Sequence, residues 1–309
     1  MSTAGSSSAR AWGGFAVAHI IDALLSGLLT GGIYALMASG LTLIFGVLEI
    51  VNVAQGILVI LGAYLSYALY QYLHIDIFLG LLITMPVMFV LGLGIEWAFI
   101  RRLKQDPGRI MLSVLVMFAV ALIIEGALNL IFTPDLVTLH ASYIDASWPI
   151  AGFYLPYVYV FSFILSVALL IGLYFLVYRT QFGYSLRASM QNRTAAELIG
   201  IDVRRVSTIT FAVGVALTAA GGMAYGATNL FNAASSYDLI SRLLVIIVLG
   251  GLGSLSGALF ASLGMLIISD LTTALWGPQW ASTVFFVLLV VLLVFRPQGL
   301  FGQLEGRKQ

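Results

Sequence analysis

The chain has 309 residues, of which 61% are hydrophobic and only 9% are charged, and its formal net charge is +1. Because soluble domains carry about 25% charged residues, this composition excludes an ordinary soluble enzyme or binding domain. The absence of cysteine excludes disulfides and thiolate metal sites.

Eight apolar stretches are candidate membrane segments, since about 20 apolar residues span a bilayer core of roughly 30 Å. In chain order they are Ile20–Leu48, Ile50–Tyr72, Phe78–Ile100, Ile110–Phe132, Leu155–Tyr178, Val206–Phe231, Leu239–Trp276 and Trp280–Phe295. Their apolar runs are continuous and do not alternate, which excludes a transmembrane β-barrel. The sequence therefore predicts an all-α polytopic membrane protein with about eight membrane segments.

One transmembrane domain is expected over residues 19–302. A polar N-terminal segment, residues 1–18, precedes it, and residues 303–309 form a cytoplasmic tail. A cleaved signal peptide is disfavoured, because the apolar run after residue 18 exceeds the 7–15 residues of a signal-peptide core.

The basic residues fall in three intervals, 101–109, 179–205 and 296–308. By the positive-inside rule, all three intervals are predicted to be cytoplasmic. The intervening segments, such as 74–76 and 135–145, contain Asp and His but no Lys or Arg, so they are predicted to face outward. Outside the three intervals, Arg occurs only at positions 10 and 242.

This topology requires Leu239–Trp276 to leave and return on the outer side, and its glycine-rich break, Gly250–Gly257, predicts a broken or re-entrant helix pair. A long helix, a broken segment, a helix and a basic end follow one another in Ile20–Arg102 and again in Val206–Arg296. The order predicts a weak parallel internal repeat, a common device in transporters. The N-terminus is then cytoplasmic, or external if Ile50–Tyr72 spans fully.

The first polar constellation is Glu49, Asn52 and Gln55, followed by Gly56. On a helix, residues three apart share one face, and polar groups inside a membrane usually face the bundle interior or a cavity. These residues are candidates for lining a substrate path. Hydrogen bonding between helices is the alternative.

The glycine-rich break contributes Gly250, Gly251 and Gly253 as further candidates for the path, with close helix packing as the alternative. The break lacks the Lys-Ser/Thr ending of a phosphate-binding loop, and no Lys occurs between Lys104 and Lys308. We therefore expect no ATPase site in this chain.

Two acidic residues lie inside predicted spans. Glu96 is one turn from Arg101, which predicts an ion pair, whereas Glu125 shares a face with Asn129 and could serve as a proton relay or a structural hydrogen-bonding group. The histidines have no second ligand at metal spacing, and no nucleophile–base motif occurs. The sequence thus predicts a protein that is not an enzyme, with no metal and no cofactor.

The longest polar interval is Arg179–Arg205, predicted to be a cytoplasmic loop that contacts a partner. At its centre a short helix-forming run ends at Gly200, which allows the chain to turn. The candidate contact residues are Arg193, Thr194, Ala195, Ala196, Glu197 and Gly200. The small side chains of Ala195 and Ala196 suit close approach into a cleft, and a solvated connector is the alternative.

Four motifs resemble the permeases of branched-chain amino acid (Liv-type) ABC importers, specifically the shorter, LivH-like partner. They are NVAQGILVILGAY (Asn52–Tyr64), RASMQNRTAAELIGIDVRRV (Arg187–Val206), VLGGLGSLSGALFASL (Val248–Leu263) and FRPQGLFG (Phe295–Gly302). The family usually has a histidine, a glycine and an acid or amide in the first motif, where this chain has Gln55, Gly56 and Ile57. The departure bears on the substrate.

The resemblance implies a multi-subunit transporter in the bacterial plasma (inner) membrane. Its partners would be a second Liv-type permease, two ATP-binding cassette subunits and an extracytoplasmic solute-binding protein. The chain would also contact the lipid bilayer, and no nucleic acid would be bound. Whether the two permeases are identical stays open. The segment Thr194–Gly200 matches the helix that couples such permeases to the ATPase.

The expected function is therefore ATP-driven import of branched-chain or other amino acids, or of a related small solute such as urea, an amide or an aromatic acid. A secondary transporter that uses Glu125 or Glu49 for proton coupling is the alternative, and a channel is the third class. These classes differ in whether transport needs ATP and further subunits.

Overall fold

The computed structural model describes residues 5–103, 108–139, 147–150 and 153–301. Lys104, His140, Asp145 and the predicted tail 303–309 lie outside the described residues. The helices in the described ranges are α1 (Gly5–Leu48), α2 (Gln55–Leu73), α3 (Ile77–Ala98), α4 (Arg109–Phe132), α5 (Tyr157–Arg179), α6 (Gln181–Gln191), α7 (Arg193–Leu198), α8 (Val203–Thr228), α9 (Ser235–Gly250), α10 (Leu255–Trp276) and α11 (Pro278–Phe295).

Eight helical stretches in the described ranges are long and apolar enough to cross a membrane. They are His19–Leu48, Gln55–Leu73, Ile77–Arg102, Ile110–Phe132, Tyr157–Arg179, Val203–Thr228, Leu255–Trp276 and Pro278–Phe295. The prediction of an all-α polytopic membrane protein is confirmed. A short hairpin was not predicted: β1 (Ser147–Ile150) and β2 (Phe153–Pro156) pair antiparallel between α4 and α5.

The predicted break in Leu239–Trp276 is present, because α9 ends at Gly250 and α10 begins at Leu255. Gly251 and Gly253 have φ values of 98° and 81°, which L side chains rarely adopt. Ser254 then caps α10 by accepting a hydrogen bond from the Gly257 amide (3.1 Å). Glycine at two left-handed positions and a serine cap together explain why the helix breaks here.

The core is formed by two three-helix units, α1–α2–α3 and α8–α9–α10. Helix α1 packs along α10, and α8 packs along α3, so each unit covers the long first helix of the other. At the crossing of α1 and α8, a Cβ on Gly40 would lie 2.7 Å from the Gly214 oxygen, and a Cβ on Gly214 would lie 2.8 Å from the Gly40 oxygen. The two units are thus related by a reciprocal contact at their centre.

The two units run in opposite directions, which corrects the parallel orientation predicted from the sequence. A Cβ on Gly221 would meet Met37, whereas one on Gly214 would meet Ile44, so α1 and α8 are antiparallel. Such an inverted arrangement recurs in transporters built from internal repeats. Both segments end in arginines, but α11 has to be added to the second unit to reach them, so the shared basic ends do not indicate a shared orientation.

Helices α2 and α9 both begin inside the bundle. Residues 49–54 turn back from the end of α1, and α2 starts at Gln55, whose amide lies beside Gly40 at the centre. A Cβ on Gly56 would lie 2.3 Å from the Ser236 oxygen at the start of α9. The N-terminal ends of α2 and α9 therefore meet within the protein.

Small residues allow the helices to approach closely. A Cβ on Gly27 would lie 2.7 Å from the Ile267 Cα, and one on Gly222 would lie 2.0 Å from the Val59 oxygen. Close backbone approach of this kind stabilises helix pairs in membranes through van der Waals packing. The glycine pairs spaced four apart in α1 and α8 thus serve packing.

The predicted basic intervals meet at one end of the bundle. Arg101, Arg193 and Arg204 line one small cavity there together with Leu48, the last residue of α1. His19, where the first membrane-spanning stretch begins, instead shares a cavity with Asn229, just beyond the end of α8. If the arginine end is cytoplasmic, as the positive-inside rule requires, His19 lies on the outer side, which corresponds to the external alternative for the N-terminus.

A cysteine-labelling experiment tests this orientation. The chain lacks cysteine, so Thr194→Cys in the exposed part of α7 and Asp135→Cys at the opposite end give single reporters. An impermeant thiol reagent added to intact cells should label Asp135→Cys and spare Thr194→Cys until the cells are opened. The reverse pattern would show that the arginine end faces outward.

Candidate functional site

The segment between α5 and α8, at the arginine end of the bundle, is built from α6 and α7. Thr180 caps α6 by accepting a hydrogen bond from the Gly183 amide (3.0 Å), and Asn192 caps α7 by accepting one from the Ala195 amide (2.9 Å). The Arg187 guanidinium lies over the ring of Tyr184, 4.9 Å from its centroid. Capped helix ends and a stacked arginine give this polar interval a defined shape.

Helix α7 ends in a Schellman motif. The Gly200 amide donates to the Glu197 oxygen (3.1 Å), and the Ile201 amide donates to the Ala196 oxygen (3.0 Å). Gly200 has a φ of 89°, and a Cβ there would meet nothing within 4 Å. The glycine is needed for its backbone conformation, so the turn predicted at this residue is present.

The exposed surface of α7 differs from the sequence-based interpretation. Thr194, Ala195, Glu197 and Gly200 are exposed, but Ala196 is buried against the chain itself. Two large apolar side chains, Leu198 at the end of α7 and Ile199 just after it, are 84% and 76% exposed. Sequence reasoning missed this apolar pair, although two large aliphatic residues next to a helix-ending glycine in a basic interval were a usable signal.

Charged groups surround α7 at the arginine end. Arg193 forms an i,i+4 ion pair with Glu197 (3.5 Å). Glu96 is buried and accepts a hydrogen bond from Thr208 (2.8 Å), and in the described ranges it forms no ion pair. The ion pair predicted between Glu96 and Arg101 is therefore replaced by a bond between α3 and α8.

The polar constellation near residue 52 is only partly brought together. The Asn52 amide donates to the Gln55 Oε1 (3.0 Å), and both side chains are fully buried. Glu49 is exposed and has a φ of 54°, because α1 ends at Leu48 and residues 49–54 are not helical. The shared helical face predicted for the three side chains is therefore wrong.

Two polar atoms in this pair have no partner. The Asn52 Oδ1 and the Gln55 Nε2 are buried without a hydrogen bond in the described residues. Buried polar groups are normally satisfied, and exceptions are often found where a water, a ligand or a second conformation is accommodated. The pair lies where α1, α2 and α8 meet, next to Gly40.

The glycine break lies at the arginine end of the bundle. A Cβ on Gly250 would lie 2.4 Å from the Gly257 carbonyl carbon, and one on Gly253 would lie 3.6 Å from the Gly46 Cα near the end of α1. The segment after α11 closes over it, because the Leu300 amide donates to the Leu249 oxygen (2.7 Å). This geometry favours the packing interpretation over a lining of the substrate path for Gly250, Gly251 and Gly253.

In the parts of the chain that the structure describes, no three His, Cys, Asp or Glu side chains are grouped so as to hold a metal ion. The described candidate residues thus form two features, an exposed apolar tip on α7 at the arginine end and a buried amide pair at the centre of the bundle.

Comparison with known proteins agrees with this architecture. The model of the family described as "Branched-chain amino acid transport system / permease component" matches residues 23–293. The high-affinity branched-chain amino acid transport system permease protein BraD of Pseudomonas aeruginosa is 25% identical, over 94% of this chain and 98% of that protein.

Two proteins of Methanocaldococcus jannaschii are also similar. Its probable branched-chain amino acid transport permease protein LivH is 29% identical over 86% of this chain and 88% of that protein. Its probable LivM permease is 27% identical over 73% of this chain and 69% of that protein. No solved structure matches this chain. From the family match over nearly the whole membrane domain, we conclude that this multi-pass membrane protein belongs to the family of branched-chain amino acid transport permease components and is LivH-like.

Proposed function

We propose that this chain is one of two permease subunits of an ATP-driven, binding-protein-dependent importer of branched-chain or other amino acids in the bacterial plasma (inner) membrane. The observation that carries the proposal is α7, a capped helix at the arginine end that ends in two strongly exposed apolar side chains, Leu198 and Ile199. An apolar pair surrounded by charged residues is typical of a protein contact site.

The energy source would be separate ATP-binding cassette subunits. The sequence has no phosphate-binding loop, and the described cytoplasmic segments are short helices and turns rather than a nucleotide-binding domain. Helix α7 would transmit ATPase closure to the membrane helices through α6 and α8, between which it lies in the chain. Such coupling needs a rigid element, and the caps at Asn192 and Gly200 supply one.

A second, related permease is the proposed membrane partner. One organism has both a LivH and a LivM protein similar to this chain, which is the pattern of a transporter with two different permeases. The substrate would pass between the two permeases after delivery by an extracytoplasmic solute-binding protein. Alternating access would arise from rocking of the two subunits.

The Asn52–Gln55 pair is the proposed point at which the inner helices rearrange. Its two unpartnered atoms can gain partners when α2 moves relative to α1 and α8, or when water enters. Glu49, which lies at the cytoplasmic end of this turn, would face the exit of the path. Gly56 allows the close contact between α2 and α9.

The variant Gln55→Leu tests this role. The substitution removes the unpartnered Gln55 Nε2 and the hydrogen bond between Asn52 and Gln55. Transport should therefore fall by about tenfold or more while the subunits still assemble. The matched control is Ser66→Ala in the same helix, which also removes a buried, unpartnered polar atom. Equal transport by Gln55→Leu and Ser66→Ala would remove Gln55 from the mechanism.

Subunit composition tests the proposal as a whole. The native complex, extracted in mild detergent through a tag on this chain, should contain a second permease and two copies of ATP-binding cassette subunits by mass spectrometry. Purification of the chain alone, with transport activity retained after reconstitution, would contradict the proposal and favour a secondary transporter or a channel.

A further inference from the structure

A band of polar side chains crosses α9 and its neighbours. Tyr237 donates a hydrogen bond to Glu125 of α4 (2.5 Å), and the Arg242 Nε donates to the Asp238 Oδ2 (2.8 Å). An Nη of Arg242 lies 3.3 Å from the Ser282 Oγ of α11. Three helices, α4, α9 and α11, thus contribute to two neighbouring polar groups, Tyr237 with Glu125 and Arg242 with Asp238 and Ser282, which together form this band.

The band lies inside the span of the flanking helices and not at their ends. Glu125 is about two turns before Phe132, where α4 ends on the outer side, and so lies roughly 10 Å along the axis from that end. Ser282 is about one turn after Pro278, where α11 begins. Arg242 therefore lies within the outer half of the membrane region, away from the basic cytoplasmic end.

The chain itself covers most of Arg242 but leaves other parts of the band uncovered. The Asp238 side chain is 56% exposed, that of Arg242 is 20% exposed, and Tyr237 is about half exposed. Exposure of charged groups to lipid is strongly unfavourable, and such residues face a bundle interior or a water-filled cavity. The band must therefore be covered by a second membrane protein surface, with or without water between.

The opposite face of α9 has the composition of a protein core. Leu239, Leu243 and Ile246 are fully buried, so α9 is fixed in the bundle by one face and presents its polar face outward. The Phe285 ring lies 5.6 Å from the Arg242 guanidinium carbon and supports it from α11. The charges of the band are therefore held in place by packing on both sides.

We propose that this band is the part of the transport path that recognises the two charged groups of a zwitterionic amino acid. The Arg242 guanidinium would bind the α-carboxylate, and the Asp238 carboxylate would bind the α-ammonium group. This inference rests on the proposed function and extends it, because it names the charge pattern of the substrate and the surface that faces the second permease.

The chemistry of the pair suits a zwitterion. A guanidinium presents a planar fork of N–H donors that matches a carboxylate, and Arg242 uses only part of this fork in the bonds to Asp238 and Ser282. A zwitterion replaces the internal ion pair by two external ones without leaving a charge unpaired. Urea and simple amides carry no such pair of charges, so the band gives them no comparable advantage.

Cysteine accessibility in the assembled complex gives the first test. Ser241 lies on the band between Tyr237 and Arg242, and Ile123 lies two positions before Glu125 but is an exposed apolar residue. A charged methanethiosulfonate reagent should modify Ser241→Cys and leave Ile123→Cys unmodified, because the reagent needs water. Millimolar leucine should slow the modification of Ser241→Cys by at least about threefold, and urea should have no effect.

Two results would overturn the proposal. If Ser241→Cys is as unreactive as Ile123→Cys, no aqueous path reaches the band. If Ser241→Cys reacts but leucine leaves the rate unchanged, the band does not bind the zwitterion. The labelling reaction needs no ATP. The proposed ATP-driven function is tested separately, by measuring ATP-dependent uptake by the unmodified complex, so either hypothesis can fail while the other holds.

A neutral pair gives the second test. The double variant Asp238→Leu with Arg242→Met removes both charges and leaves none unpaired, so the complex should assemble. We expect leucine uptake by the reconstituted complex to fall by at least about tenfold, with subunit stoichiometry unchanged. Uptake within about twofold of the unmodified complex would assign the ion pair to structure alone.

Discussion

Replacing Leu198 with Glu should detach the ATP-binding subunits from this permease while the membrane domain stays folded. Leu198 is 84% exposed and touches little of its own chain, so the variant should leave the stability of the permease nearly unchanged. At the proposed docking site, however, it places a charge where an apolar side chain would be buried. Burying an unpaired charge in an interface costs several kcal/mol, so co-purification of ATPase should fall by about a hundredfold.

The matched control is Gln191→Glu, at the end of α6. It adds the same charge to an exposed position of the same cytoplasmic segment, outside α7. We expect this control to retain the ATPase subunits at a level within about twofold of the unmodified chain. Equal loss in the two variants would indicate a general effect of charge, and retention in both would remove α7 from the docking site.

The same comparison changes the interpretation of Ala196. Because Ala196 is buried against its own chain, a large or charged residue there should disturb the seating of α7 itself. Loss of ATPase from an Ala196 variant would therefore not separate docking from local misfolding, whereas Leu198 separates them. Leu198 is therefore a more informative position for substitution than Ala196.

Replacing Gly257 with Ala should strongly destabilise the crossing of α9 and α10. The new Cβ would lie 2.0 Å from the Gly250 oxygen and 2.7 Å from its carbonyl carbon, and neither atom belongs to a flexible side chain. The helices must separate, which also disturbs the bond from the Phe301 amide to the Gly250 oxygen (3.1 Å). Overpacking of this kind costs about 1–3 kcal/mol and sometimes more, so a clear fall in thermal stability in detergent is expected.

Gly264→Ala in the same helix is the control, because a Cβ there would meet nothing within 4 Å. Alanine is favoured over glycine in a helix by about 0.5–1 kcal/mol, so this variant should be neutral or slightly stabilising. The two substitutions are chemically identical, but Gly257→Ala should lower the thermal stability and Gly264→Ala should leave it unchanged or raise it. Similar melting temperatures for the two would show that the crossing is looser than the contacts indicate.

The membrane helices could be predicted from the sequence because their length and apolar composition are set by the bilayer. The break between α9 and α10 was also predictable, because the two glycines at left-handed positions and the capping serine lie close together in residues 251–254. The hairpin Ser147–Pro156 was not, because its strands have only four residues each and no turn motif distinguishes them from a loop.

The orientation of the two units and the geometry near Glu49 were mispredicted for a common reason. Both depend on the path of residues 49–54, of which only Glu49 and Asn52 are polar. Such a stretch between two apolar runs carries no signal for an irregular turn back into the bundle. Read as a helix, the stretch places Glu49 beside Gln55. In the structure the helix ends at Leu48, and Glu49 points away from the buried amide pair.

The proposed docking surface could be predicted from the sequence only to within a segment. The basic interval and Gly200 identified α7, but the choice among its residues depends on which face of a six-residue helix packs against the chain. That face is set by tertiary contacts, which the sequence of the helix alone does not contain. The same holds for Arg242, whose isolation from the other basic residues was visible but whose partners, Asp238 and Ser282, come from local turn spacing and from another helix.

Transport through this chain is proposed to be driven by ATP that separate subunits hydrolyse. The most direct measurement is uptake of radiolabelled leucine into proteoliposomes that contain the complete complex, with binding protein and substrate on one side and ATP on the other. Uptake should require ATP, should stop when the catalytic glutamate of the ATPase subunits is replaced, and should be insensitive to collapse of the proton gradient. Uptake without ATP that follows the proton gradient would contradict the account.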